Sequence, residues 1–342
     1  MWTEEYLDGL LTTPSEKLVA DMPKIKGDII IIGAGGKMGP TLSVLVKNAC
    51  REAGIDKKVI AVSRFGDPFV TELLKKNEVG MISADLMEPG AVNSLPEVEN
   101  VIYMAGRKFG TDGQESLTWA MNAWLPSLVS EKFKRSNTVV FSSGNVYPMM
   151  SLRDGGADEA TPPEPIGEYA MSCLGRERVF EYASNTYGAR VCIYRLTYAV
   201  DLRYGVLNDI AQSILSGRPV SVATPVFNCI WQGSANEIAV RCLLICESPV
   251  NRLNVTGPET VSVKWAAREL GKHLGKDPVF EAGLGKTESD AALISNASKM
   301  AGLFGNPSVP INTLIRWQAE WLMDGGRSLN KPTHFEEREG KF

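Results

Sequence analysis

Gly33, Gly36 and Gly39 stand three residues apart, directly behind the apolar run Ile29–Ile32. Their type and spacing suit one kind of chemistry, the binding of a phosphate by backbone N–H groups at a helix N-terminus. Gly33 allows a sharp exit from a strand. Gly36 has no Cβ to keep a pyrophosphate from the backbone, and Gly39 lets a helix pack close to the sheet. Lys37 and Met38 complete the turn and belong to the same candidate nucleotide-binding set. Two elements must position this turn. The run 28–32 predicts a buried strand, and 37–51 predicts a helix. A glycine triplet alone marks many ordinary turns; between a strand and a helix it points to a nucleotide.

Composition excludes several other functions. The 342 residues carry 36 basic and 40 acidic side chains, with no basic block, so nucleic acid is not an expected partner. No apolar stretch reaches membrane-spanning length, and the acidic N-terminus lacks a signal-peptide pattern. Cysteines 50, 173, 192, 229, 242 and 246 are scattered without a C-x-x-C pair; a reduced, cytoplasmic chain is expected. Cys242 and Cys246, one helical turn apart, fit a buried apolar face better than a metal site. His273 and His334 are the only histidines, so neither a metal site nor a histidine-based triad is expected.

The rest of the chain alternates strand and helix signals. Residues 1–26 predict two short helices broken at Thr13-Pro14, packed outside the sheet. Strands are expected at 59–63, 79–83, 101–104, 138–142 and 190–195, with helices at 69–76, 114–134 and 168–187 between them. Short apolar runs without polar alternation fit strands covered on both faces. The alternation predicts an α/β fold, a Rossmann-like doubly wound parallel sheet over residues 27–200. Residues 201–324 predict mainly a smaller substrate lobe, with some elements returning to the sheet. Helices are expected there at 205–216, 235–247, 261–274 and 312–323, and extended segments at 219–222, 253–255 and 278–281. The polar tail 325–342 is expected to be irregular. Gly285-Lys286-Thr287 is not a phosphate loop, because Phe280 stands where the motif needs its first glycine.

The spacing Gly33-x-x-Gly36-x-x-Gly39 resembles the loop of the extended short-chain dehydrogenase/reductase superfamily, the branch of NAD(P)-dependent sugar-nucleotide epimerases and dehydratases. Further ordered segments carry the resemblance: Asp85-Leu86, Ala105-Gly106, Asn122, Phe141-Ser-Ser-Gly-Asn-Val-Tyr147, Tyr194-Arg195-Leu196 and Asn254-Val-Thr-Gly-Pro258. It implies that Asp85 and Leu86 hold the adenine and that Ala105-Gly106 lies beside the cofactor ribose. The second strand ends in Ser63-Arg64 rather than an acidic residue. Ser63 does not repel a 2′-phosphate and Arg64 can pair with one, which favours NADP over NAD. Stacking of Arg64 on the adenine is the alternative.

The resemblance also implies a Ser and a Tyr-x-x-x-Lys pair. Ser143 and Tyr169 match, but Cys173 occupies the lysine position. A tyrosine titrates near 10 and needs a neighbouring cation to act as a base near neutrality. Arg176, one turn on, is a possible substitute charge; the oxidised nicotinamide ring, Lys37 and Lys108 are others. Arg107, Lys108, Asn145, Arg203 and Trp231 are candidate substrate contacts. Simple solvation of Arg107, Lys108 and Arg203, and packing of Trp231, are the alternatives. The long loop between Ser143 and Tyr169 is expected to close over substrate. The implied function is redox or epimerase chemistry at a carbinol carbon of a sugar or sugar-derived acid, with a homodimer formed through 114–134 and 168–187. The rival, which Cys173 favours, is a cofactor-binding regulatory or structural protein whose catalytic machinery has decayed.

Overall fold

The computed structural model describes residues 1–111, 113–281 and 290–340. Seven strands form one parallel sheet: β1 Ile29–Ile32, β2 Val59–Ser63, β3 Gly80–Ser83, β4 Asn100–Tyr103, β5 Asn137–Ser143, β6 Arg190–Leu196 and β7 Asn251–Val255, in the order β7-β6-β5-β4-β1-β2-β3. Ile29 pairs with Val59 on one side and Asn100 on the other. The direction of winding therefore reverses at β1, and a crevice opens beyond the carboxyl ends of β1 and β4. All four isoleucines of β1 are buried. Alternation sends Ile29 and Ile31 into one apolar cluster and Ile30 and Ile32 into the other, the signature of a strand covered on both faces.

The helices that cover the sheet are α3 Gly39–Glu52, α4 Pro68–Lys76, α5 Glu115–Trp119, α6 Leu125–Lys132, α7 Gly167–Tyr187 and α9 Gln232–Arg241. A third apolar cluster, that of the second lobe, is built by α1 Glu4–Thr12, α8 Val206–Ser216, α10 Val263–Leu274 and α12 Ile311–Met323. Late in the chain, β7 pairs with β6 at the sheet edge, and Leu253 of β7 with Ile238 and Val240 of α9 joins the cluster that holds Ile29 and Ile31.

Several expectations are corrected. α3 starts at Gly39, not Lys37, because Pro40 occupies the first turn, where its missing N–H is harmless. The single helix expected over 114–134 is broken by a π-helical turn at Ala120–Trp124, which sets Asn122 inward. Both N-terminal helices lie against α3 and α9; α2 Glu16–Asp21 joins the sheet cluster through Leu18. α1 buries Leu7 and Leu11, four residues apart on one face, in the second lobe. Residues 278–281 form no strand, only a bridge from Phe280 to Val220. The helix α11 Ser298–Phe304 carries no strong sequence signal. Gly285-Lys286-Thr287 lies outside the described residues.

A buried ion pair ties these layers together behind the crevice. The Arg195 side chain on β6 donates to both oxygens of Glu177 on α7, at 2.9 and 2.6 Å. Glu177 also accepts from Ser142 on β5 at 2.5 Å, and Arg195 donates to the Tyr147 hydroxyl at 2.7 Å. Tyr147 donates its own proton to Asn254 on β7 at 2.7 Å. Removing one partner strands a buried charge, which costs about 3–5 kcal/mol. Glu177→Ala should lower the unfolding free energy by about that amount in urea titrations, and an effect near zero would exclude this clamp.

Candidate active site

A cleft of about 630 Å³ opens at the winding reversal. The glycine turn forms its floor. Gly33 has φ +92°, and a Cβ there would strike the backbone of Ala105 on the neighbouring turn. A Cβ on Gly39 would strike the backbone of Ala34, so both positions are limited to glycine by close approach. Gly36 lines the cleft, and a Cβ there would meet the Gly33 carbonyl oxygen at an ordinary contact distance of 3.5 Å. Lys37 and Met38 also line the cleft, followed by the first turn of α3.

Ser143 ends β5, and Tyr169 lies in the first turn of α7; both line the same cleft, with Asn145. The Ser143 hydroxyl donates to Asn145 Oδ1 at 2.8 Å. The Tyr169 hydroxyl is hydrogen-bonded to Ser143 and to the Cys173 thiol. Burial, and then the neighbouring thiol, push the Tyr169 phenol above its usual range, against the opposing charge of Arg176. Cys173 is buried in a small apolar cluster with Val146, Tyr147 and Ala157, and burial likewise pushes its thiol up. The tyrosine is thus seated where a proton could be exchanged, but its own helix supplies no cation at the next turn.

Arg176 is buried behind the cleft rather than in it. It donates to the Phe141 carbonyl at 2.6 Å and to Asn122 Oδ1 at 2.8 Å. Asn122 in turn accepts from the Arg107 amide at 2.8 Å and donates to the Arg107 carbonyl and to Ser172. This is why the π-helical turn sits beside the site: it aims one side chain at the loop after β4 and at α7 together. A Cβ at Gly106 would meet the Arg176 guanidinium. Ala105 and Leu86 are buried in the sheet cluster. Ser63 lies over Gly35, and Arg64 faces Asp85 at 3.7 Å on the exposed rim.

Two lysines share the cleft. Lys37 Nζ donates to the Ala199 carbonyl at 2.8 Å and lies 3.8 Å from the centre of the Tyr204 ring. Burial brings it down to about 7, with Asp201 opposing and Lys108 adding to the shift. Lys108 Nζ donates to the Thr333 carbonyl at 3.4 Å and lies 5.9 Å from the centre of the Tyr169 ring. Burial brings it down to about 8, opposed by Cys173 and Asp209.

Other predicted contacts are already engaged. Arg203 lines the cleft but is held by Asp201, Glu4 and Asp8, each at 2.9 Å. Arg107 turns to the Gly110 carbonyl. Trp231 is buried against Trp317, with ring centres 5.6 Å apart, in the apolar cluster of the second lobe; packing, not substrate stacking, is what the structure gives it. The loop expected to close over substrate is pinned instead by Ala157, which exchanges backbone hydrogen bonds with Ile294 and Asn296.

Sequence reasoning missed the segments that roof the cleft. Asp8 of α1 and Arg327, Leu329, Lys331 and Thr333 of the tail line it. The tail has no regular structure but is anchored, since Thr333 donates to Asp209 through its amide at 2.8 Å and its hydroxyl at 2.6 Å. Tyr198, also in the lining, has φ +44°, an uncommon state for an aromatic residue. The signal that could have found the α1 contact was its acidic Glu4 and Asp8, one turn apart, opposite a lone cationic Arg203.

A family model described as the NAD dependent epimerase/dehydratase family matches residues 29–224. Among solved structures, MoeE5 in complex with UDP-glucose and NAD is 19% identical; the match covers 87% of this chain and 99% of that one, with a TM-score of 0.69. The UDP-glucuronic acid 4-epimerase from Bacillus cereus, solved with UDP-glucuronic acid and NAD, is 18% identical over the same shares, also at 0.69. The UDP-glucose 4-epimerase of Thermus thermophilus, in complex with NAD, is 18% identical over 86% and 98%, at 0.67. At these identities the likeness establishes the fold. No curated protein matches the sequence.

The depressed Lys37 has a consequence for stability. An unfolded lysine keeps its proton to about 10.4, whereas folded Lys37 releases it at about 7. Between those values the unfolded chain binds more protons, so this group makes stability rise with pH across the window. Lys37→Met removes the penalty. Its gain in urea midpoint over the unmodified protein should be largest below pH 7 and fade toward pH 10; a pH-independent difference would contradict the burial of this ammonium.

Proposed function

Since the chain belongs to the NAD dependent epimerase/dehydratase family, we propose that it oxidises, reduces or epimerises a carbinol carbon of a sugar or sugar-derived acid, using NAD. The observation that carries this reading is the meeting of Tyr169, Ser143 and the glycine turn in one cleft. Gly33, Gly36 and Gly39 leave the backbone open to a diphosphate, with Lys37 and Met38 beside it and Asp85 and Leu86 toward the adenine. Bound there, NAD would supply the hydride acceptor and donor. Ser143 hydrogen-bonds the reacting oxygen of the substrate, and Tyr169 takes or returns its proton. Asn145 borders the same space.

The sequence preference for NADP finds no support in the relatives, whose structures hold NAD. A local reason agrees: the carboxylate of Asp85 already faces Arg64 and would compete with a 2′-phosphate for the guanidinium. Among the described residues no helix is long and apolar enough to cross a membrane, and all six cysteines are free thiols, which suits a cytoplasmic setting. Trp124, Met171 and Tyr182 are exposed on the helices 115–132 and 167–187; these faces would pair in a homodimer.

A cofactor-binding protein without turnover is the second reading, favoured by Cys173. Reduced-nicotinamide absorbance during incubation with NAD and a panel of sugars and sugar acids, with chromatography of the sugars to detect redox-neutral epimerisation, separates the two. Turnover is expected, and Tyr169→Phe should reduce it by about 10²-fold or more while leaving NAD binding intact. Tight NAD binding with no turnover on any substrate would favour the second reading. Calorimetry should give tighter binding of NAD than of NADP; the reverse order would restore Arg64 as a phosphate ligand. Light scattering should return the mass of two chains.

A further inference from the structure

A buried phenol that must lose its proton needs a positive charge close by, and the turn of α7 that faces Tyr169 offers only the Cys173 thiol. Two cations lie near enough to be considered. The charge of Arg176 already opposes the upward shift of Tyr169, but from behind the cleft: its side-chain donors are spent on the Phe141 carbonyl and on Asn122, it is 5% exposed, and it does not line the cleft. Its bonds brace the loop after β4 against α7. Lys108 lies on that loop, two residues beyond Gly106. It lines the cleft beside Ser143 and Tyr169, with Nζ 5.9 Å from the centre of the Tyr169 ring, and its charge adds to the larger effect of Arg176 in opposing the upward shift of the Cys173 thiol.

We propose that Lys108 supplies from the loop after β4 the positive charge that Cys173 cannot supply from the helix, and so stabilises the Tyr169 phenolate during proton exchange. This rests on the reading of Tyr169 as the proton-exchanging group. The tail holds the lysine in place. Its ammonium donates to the Thr333 carbonyl, and Thr333 is fixed to Asp209 on α8 by two hydrogen bonds. The segment that roofs the cleft thereby positions a charge inside it. The charged and titratable groups acting on Lys108 are Tyr169 and Cys173 from α7, Asp209 from α8 and Lys37 from the glycine turn. Because burial leaves Lys108 titrating near 8, its charge is present at neutral pH and is lost in mildly alkaline solution.

The test compares Lys108→Arg, whose charge survives at high pH, with Lys108→Met, which has none. Tyrosinate absorbance is titrated in each full-length variant without added nucleotide, and the curve of the same variant carrying Tyr169→Phe is subtracted to isolate Tyr169. The Tyr169 transition should lie at least about one pH unit lower in Lys108→Arg than in Lys108→Met. Coincident transitions would overturn the proposal, as would a shift produced by Arg176→Met but not by exchanging Arg for Met at 108. Circular dichroism confirms that each variant is folded. Where turnover is measurable, kcat of the unmodified protein should fall above about pH 8 and that of Lys108→Arg should persist to higher pH; matching profiles would count against Lys108. If no substrate turns over yet the titration gap is present, the placement of the charge stands and the redox reading fails.

Discussion

The ion pair between Glu177 and Arg195 is the constraint on which the site depends. It lies where α7 crosses the carboxyl ends of β5 and β6, and through Ser142, Tyr147 and Asn254 it reaches β5 and β7 as well. Ser143 is the next residue along β5 from Ser142, and Tyr169 is two turns before Glu177 on α7. Fixing the pair fixes the distance between the two candidate catalytic hydroxyls. A buried pair contributes little net stability compared with apolar packing. What it adds here is a single alignment of helix and strands, since any sliding of α7 would separate charges in a medium that cannot solvate them.

A second polar assembly does the same for the loop after β4. The π-helical turn directs Asn122 at the backbone of Arg107 and at Arg176, so the loop, α7 and β5 move as one body. Lys108 therefore leaves a braced base and is met from above by the tail. The site is closed on its open side by the two ends of the chain, α1 through Asp8 and the tail through Thr333. Neither end falls within the residues that match the family model. The roof of the cleft is thus built by residues outside the span that matches the family model.

The cleft carries cations in surroundings that depress them. Lys37 and Lys108 are half-buried, and each carries less charge at mildly alkaline pH than a surface lysine would. An anionic group entering the cleft would restore those charges and take up protons as it bound. Arg203 differs, because three carboxylates already surround it. It serves as a structural anchor between the second lobe and α1.

Much of this was legible in the linear chain. The glycine triplet and the strand runs predicted the parallel sheet and the tight turn between β1 and α3, because buried strands and tight turns impose local rules on residue type. Ser143 and Tyr169 were singled out through a resemblance to a family motif, and the structure seats both beside the glycine turn; the cysteines are free and pack as small apolar residues. What the chain alone left open was which cation faces the phenol. Arg176 is one helical turn from Cys173, yet its side chain turns away to satisfy carbonyls behind the sheet. Lys108 is some sixty residues before Tyr169, and the winding reversal brings it across. Trp231 became core and α1 became part of the cleft by the same logic. Short-range spacing determines how each segment folds, while the direction of a long flexible side chain is decided by the partners that only the assembled layers bring within reach.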